Sequence, residues 1–251
     1  MLVDAHCHLQ DPRLAGDLEG VLARARAAGV GAFLCCGTRP ADWAAVLELA
    51  RTRAGVVPLA GLHPWHVDGA GPGWEEALEA AFDAGAAAGE CGLDFSEGRP
   101  AREAQEAALA AQLRRAAARN LPVALHCVKA TERLAAVIRE TGLGPAGGYV
   151  HAFSGAPEAA RTFLDLGLHL SFGGAVTRPG AKRAAASLAY VPGDRYLLET
   201  DAPDLAPEGV TGPCEPAHLA LVAEAASRIR GEDAGAAAAE NARKRFGRWL
   251  A

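Results

Sequence analysis

The run Leu2-Val3-Asp4-Ala5-His6-Cys7-His8 decides how the chain reads. It is a short apolar segment that ends in two histidines one residue apart. A strand sends alternate side chains to opposite faces, so His6 and His8 share one face, toward a barrel axis, while Cys7 points into a helix layer. Working outward, similar buried runs recur over 31–36, 56–62, 86–92, 122–127, 147–152, 168–172 and 195–199, each short enough for a parallel strand. Alanine-rich helical stretches fill the gaps over 17–28, 41–53, 74–84, 102–119, 131–140, 157–166, 180–189 and 216–230, and a last helix over 232–249 closes the chain. In the helix over 102–119, Ala107, Leu109, Ala110 and Leu113 form the expected apolar stripe. Eight alternations predict an α/β fold of the TIM-type (β/α)8 barrel kind, regular or distorted, rather than an open doubly wound sheet. The expectation is a single domain over residues 1–251 with a carboxyl-terminal helix.

Composition agrees with one well-cored globular body. The 251 residues are 50% hydrophobic, 22% charged and 6% aromatic, with a mean hydropathy of +0.05. Disorder, collagen and a disulfide-stapled miniprotein are excluded on that balance. The formal charge is −5, and Lys129, Lys182 and Lys244 are the only lysines. An acidic chain has no broad electrostatic footprint for duplex DNA, so a nucleic-acid substrate has to be gripped locally, for example through metal ions. Six cysteines without a C-x-x-C pair, no amino-terminal leader and no run of 18 apolar residues point to a reduced, cytoplasmic protein with no membrane contact. No obligate protein partner is implied. Neither G-x-G-x-x-G after the first strand nor a P-loop occurs, which leaves nucleotide-cofactor sites without support.

Residues suited to metal ligation gather where the strands end. Six of the eight histidines (His6, His8, His63, His66, His126 and His151) stand at or just beyond carboxyl ends of predicted strands. In a barrel those ends converge on one rim, where the chemistry is carried. Two imidazoles in H-x-H spacing are a natural bidentate hold on a divalent ion. Glu90 emerges from Ala88-Gly89, where an unpartnered carboxylate pays heavy desolvation. Asp201 follows the eighth strand and can touch a metal with one oxygen while the other takes a proton from water. Four imidazoles and two carboxylates suffice for two ions sharing Glu90. The loop over 201–215, rich in proline and glycine, lies on the functional rim.

These segments together resemble the TatD-type metal-dependent deoxyribonucleases of the amidohydrolase barrel superfamily. DAHCHL at 4–9, GLHP at 61–64, GECGLDF at 89–95, LPVALHC at 121–127, VHAFSG at 150–155 and ETDAP at 199–203 follow that family's motifs in order, from first strand to eighth. The resemblance implies that His6 and His8 hold one ion with Asp201, that His126 and His151 hold the other, and that Glu90 bridges them. It places His63, and with it His66, on the substrate or leaving-group side. It implies hydrolysis of phosphodiesters, 3′ to 5′ on single-stranded DNA, with Asp201, Glu90 and His63 in catalytic roles. Related branches use a carboxylated lysine as bridge, which Glu90 replaces here.

The chain also departs from the pattern. Val128 stands where many members carry an arginine, Lys129 follows it, and the segment after ETDAP lacks the usual basic residues. Lys129 and Arg178 are the candidate phosphate contacts, and Phe95 or Phe153 the candidate stackers for a base. Imidazole-rich ligation suits zinc and other late ions such as cobalt, and a carboxylate bridge facing phosphate also permits magnesium or manganese. A carboxylic ester, lactone or amide hydrolase on the same centre is the first alternative, favoured by the missing cations. A noncatalytic, metal-stabilised scaffold is the second.

Overall fold

Short, doubly buried runs form the inner wall. The computed structural model describes residues 1–250 and contains eight strands: β1 Leu2–Cys7, β2 Val30–Cys36, β3 Val56–Ala60, β4 Ala87–Asp94, β5 Val123–Val128, β6 Gly148–Val150, β7 His169–Phe172 and β8 Tyr196–Leu198. Each pairs in parallel with the next, in sequence order, and helices lie between them as the alternation predicted. The fold is a TIM-type barrel with a carboxyl-terminal helix, Ala234–Leu250.

Inside the barrel, Ala5, Ala32, Ala87 and Ala124 leave room for the fully buried ring of Tyr149. Phe246 of the last helix meets that ring edge-on, with centroids 5.9 Å apart, and packs with Ala239 and Ala242 in the same interior cluster. Cys7, Phe33 and Cys35 belong instead to the larger cluster that also takes in the helix faces. The six cysteines are free thiols, five of them buried.

β8 and β1 form no regular ladder. At that seam Asp4 accepts from the Thr200 backbone N–H at 2.9 Å and from its hydroxyl at 2.6 Å. Beyond it, Asp201 N–H donates to His6 O at 2.9 Å and His8 N–H to Ala202 O at 2.7 Å. These bonds close the rim at the point where His6, His8 and Asp201 emerge. Burial pushes the Asp4 carboxyl up to about 8, against the lowering effect of its bonds from Thr200.

Three local readings change. The 102–119 segment forms the helix Arg102–Ala118, but its buried face runs through Gln105, Leu109, Gln112, Leu113 and Ala116, while Ala107 is exposed and Ala110 half-buried. The two glutamines are buried because they bond strand-end backbone: Gln112 spans Leu62 N–H and O at 2.7 and 3.1 Å, and Gln105 spans Asp94 N–H and O at 2.8 and 2.9 Å. A pattern of apolar residues alone misplaces that face. The 216–230 segment starts as a 3-10 turn, Pro216–His218, before the helix Leu219–Arg230. A short helix, Pro12–Ala15, capped by Asp11, was not anticipated.

Candidate metal centre

The register of β1 against β2 slips between Asp4 and Cys7, a bulge of the kind that re-aims side chains beside sites. His6 lies within it and His8 just past it, with ring centroids 5.1 Å apart. Glu90 rises from the middle of β4, flanked by glycines for a steric reason. A Cβ on Gly61 would stand 2.5 Å from Glu90 O, and one on Gly92 would stand 2.0 Å from His126 O, both backbone atoms. His126 comes from β5, His151 follows β6, and Asp201 follows β8.

The two oxygens of Glu90 divide the imidazoles between them. Oε2 lies 3.1 Å from His6 Nε2 and 3.6 Å from His8 Nε2. Oε1 lies 2.9 Å from both His126 Nδ1 and His151 Nε2, and those nitrogens are 3.1 Å apart. Asp201 Oδ1 stands 3.3 Å from His8 Nε2 and 3.9 Å from His6 Nε2. Ligand atoms about 2.1 Å from a shared metal at right angles are about 3 Å apart. Nitrogen and oxygen atoms of His6, His8 and Glu90, of His6, His151 and Glu199, and of His63, Glu90 and His126 each gather within 4.8 Å of one another.

The nitrogens turned away from the centre decide which lone pairs are free inside it. His8 Nδ1 faces Cys36 O at 2.8 Å. His6 Nδ1 faces the Tyr149 hydroxyl at 3.3 Å, and that hydroxyl donates to Ala5 O at 2.6 Å, so it accepts from the ring. His126 Nε2 faces Asp94 at 3.5 Å, and His151 Nδ1 faces Glu199 at 3.5 Å. For His8 and His6 the acceptor on the outer nitrogen places the proton there and leaves the inner nitrogen free to bind a cation, whereas the outer nitrogens of His126 and His151 have a carboxylate nearby but no hydrogen bond. His63 is the opposite case. Its Nδ1 accepts from the Trp65 backbone N–H at 3.2 Å, so the neutral ring carries its proton on Nε2, 3.3 Å from Glu90 Oε1. In that tautomer His63 donates rather than ligates.

Electrostatics point the same way. Burial works against ionising Glu90, but the fields of His151, His63 and His6 and the bond from His126 outweigh it and hold the carboxyl well below its usual range. Burial likewise opposes the charge on His8, and the bond from Asp201 and the field of Glu90 overcome it, lifting the ring to about 9. His151 is raised well above its ordinary value by Glu90 and Glu199 against burial. Burial drops His63 to about 4, so it is neutral near pH 7. A field that favours protons on clustered imidazoles favours divalent cations in their place. The donor set therefore fits divalent metal.

Above these residues lies a cavity of about 710 Å³, lined among others by His8, His63, Glu90, His126, His151 and Asp201, a size usual for small-molecule sites. His66 lines it too, but Lys129 and Arg178 do not. Arg178 donates to Ala206 O at 3.0 Å outside it. Neither Phe95 nor Phe153 lines it; Phe153 is buried against Phe163 and Phe172, and Phe95 carries Arg102 over its ring. The cations that do line it are Arg13 and Arg39. Sequence reasoning missed them, along with Asp94, Glu199 and the glutamine clamps, because which side chains face the cavity or stand behind the imidazoles is set by the tertiary fold.

The sequence profile of the family described as "TatD related DNase" matches residues 3–247. The chain belongs to the TatD family. YjjV of Escherichia coli (strain K12), named an uncharacterized metal-dependent hydrolase, is 36% identical over 237 residues, covering 92% of this chain and 91% of its own. The crystal structure of YjjV, described as a TatD homologue, superimposes with a TM-score of 0.94 at 34% identity over 98% of both chains. A Pantoea ananatis TatD protein, named a 3′-5′ ssDNA/RNA exonuclease, is 34% identical over 260 residues, covering 98% of this chain and 99% of its own. As a TatD-family protein the chain is a metal-dependent hydrolase acting on ester bonds. No helix among the described residues is long and apolar enough to cross a membrane.

Proposed function

We propose that residues 1–251 act as one domain, a dinuclear metal-dependent nuclease that trims single-stranded DNA from its 3′ end in the cytoplasm. The observation that carries this reading is the division of Glu90, with one oxygen toward His6 and His8 and the other toward His126 and His151. His6, His8 and Asp201 would hold one ion, His126 and His151 the other, and Glu90 both. Zinc, cobalt, manganese and magnesium all suit a mixed imidazole and carboxylate set facing phosphate. Bound there, such ions supply Lewis acidity, polarising a phosphoryl oxygen and making water acidic enough to ionise near neutral pH.

The side chains complete the reaction. Water adds to phosphorus as the P–O3′ bond breaks; Asp201 takes the proton of the water, and the departing 3′ oxygen accepts a hydrogen bond from the neutral His63 Nε2–H while it takes its proton from solvent. His66, beside Arg39 on the cavity wall, contacts the substrate. The exonuclease name of the Pantoea ananatis relative supports a single-stranded substrate, and a cavity of about 710 Å³ suits a strand end better than a duplex.

The test is shortening of 5′-labelled single-stranded DNA in a series of Mg, Mn, Co and Zn, beside Asp201→Asn. Metal-dependent trimming should fall about 10²- to 10⁴-fold in the variant. Equal trimming by both proteins overturns the reading. Trimming by neither transfers it to a carboxylic ester or lactone, a second reading favoured by the neutralised Arg13 and by the apolar side chains on the cavity rim.

A further inference from the structure

Trp65 follows His63 in the 3-10 turn Pro64–Gly69. It is 46% exposed, yet it is held at three points. Its Nε1–H donates to Asp94 Oδ2 at 2.6 Å, its backbone N–H donates to His63 Nδ1 at 3.2 Å, and the Arg99 guanidinium lies 3.8 Å from the ring centre. Trp65 lines the cavity and Arg99 does not. The guanidinium therefore covers one face of the indole, and the half-exposed side chain contributes to the cavity wall.

That ring is close to the chemistry. Its centroid is 4.9 Å from the His63 ring and 6.1 Å from the His126 ring. Val128 and Leu205 line the same cavity, so three of the six exposed large hydrophobic side chains among the described residues gather at its mouth. Apolar surface gathered around a polar site marks a binding surface. With its N–H already spent on Asp94, the indole has only its π face to offer, and a planar ring is what such a face recognises.

We propose that Trp65 is a fixed stacking platform for a nucleobase that flanks the scissile phosphate, a proposal that rests on the nucleolytic reading above. The base would lie on the indole while the adjoining phosphate enters among His63, His126 and Glu90. Asp94 serves as the anchor, since the carboxylate that holds the indole also faces His126. Binding at this platform is tolerant of base identity, because every base has a π face.

The test uses metal-loaded protein and single-stranded oligonucleotides that are intact, abasic at the 3′-terminal residue, or abasic at the residue before it. In the wild type, one of the two abasic substrates should raise KM about tenfold or more, with a smaller change in kcat. Trp65→Ala should raise KM for the intact strand similarly and abolish the difference between intact and abasic strands. Trp65→Phe loses the bond to Asp94 as the alanine variant does but keeps a ring, and should retain most of the difference; this separates stacking from an effect passed through Asp94 to His126. Equal KM for all three strands in the wild type overturns the proposal, as does a base dependence that survives in Trp65→Ala.

Calorimetry with thymidine 5′-monophosphate against deoxyribose 5-phosphate distinguishes the two readings without catalysis. Base-dependent binding lost in Trp65→Ala, in a protein that trims no DNA, leaves the platform and removes the nuclease. Trimming without base dependence does the reverse.

Discussion

Asp94 Oδ2 lies 3.5 Å from His126 Nε2, and the opposite nitrogen of that ring faces Glu90 Oε1 at 2.9 Å. Burial opposes the charge on Asp94, but the nearby His126 ring and the bonds from Ser96 and Trp65 outweigh it and keep the carboxyl well below its usual range. A carboxylate behind an imidazole fixes its tautomer and raises its basicity as a ligand. Asp94→Asn keeps the shape and removes the charge. Divalent-ion affinity, read by competition with a chromophoric chelator, should fall about 10- to 100-fold. Unchanged affinity would mean that Asp94 serves only Trp65 and Ser96.

The glycines around Glu90 have a steric purpose that can be checked. A Cβ on Gly61 would meet Glu90 O at 2.5 Å and Glu90 C at 2.7 Å, whereas one on Gly69 would meet nothing within 4 Å. Gly61→Ala should destabilise the fold by about 1–3 kcal/mol and weaken metal binding by displacing Glu90. Gly69→Ala, prepared alongside, should do neither. Equal urea midpoints for the two variants would contradict the packing described for β3 and β4.

Few cations are available to grip a phosphate backbone. Arg13 is held by Asp11 at 2.9 Å and Asp204 at 2.8 Å, while Arg39 lies 4.0 Å from Asp42, whose carboxylate is already occupied by Thr38. Each phosphate contact with single-stranded DNA adds about −0.7 to the slope of log K against log salt. At fixed metal concentration the slope should be shallow, Arg39→Ala should lessen it by about 0.7, and Arg13→Ala should leave it nearly unchanged. A steep slope that Arg39→Ala does not alter would place the phosphate contacts elsewhere.

At the opposite end of the barrel, His169 is buried and its Nδ1 accepts from Arg245 at 3.1 Å. Burial, with the charges of Arg245 and Arg195, drops it to about 4. Its unfolded pKa is about 6.5, so the unfolded chain binds the extra proton between the two values. The stability this histidine contributes is complete above pH 6.5 and declines as pH falls toward 4, by about 2 kcal/mol at pH 5. His169→Gln keeps an acceptor without the titration. Urea unfolding from pH 7 to 5 should show the wild type losing more stability than the variant, and parallel losses would count against it.

The sequence by itself determined the barrel and the rim. Eight buried runs alternating with helices are a pattern of local composition, and H-x-H spacing puts His6 and His8 on one face whatever surrounds them. Positions at the carboxyl ends of predicted strands brought Glu90, His126, His151 and Asp201 to the same rim, and the family motifs assigned them to two ions. Tertiary structure alone decided the rest, because the deciding partner is remote in the chain or is brought into place by the fold of a turn. Arg13 is neutralised by Asp204, 191 residues away, so its positive charge in the sequence is not a free charge in the cavity. His63 becomes a donor because the turn after it presents a backbone N–H to Nδ1. Trp65 stays at the mouth because Asp94, 29 residues on, binds its N–H. Backbone periodicity fixes where a side chain leaves the wall, and tautomer, effective charge and exposure depend on what the fold sets opposite it.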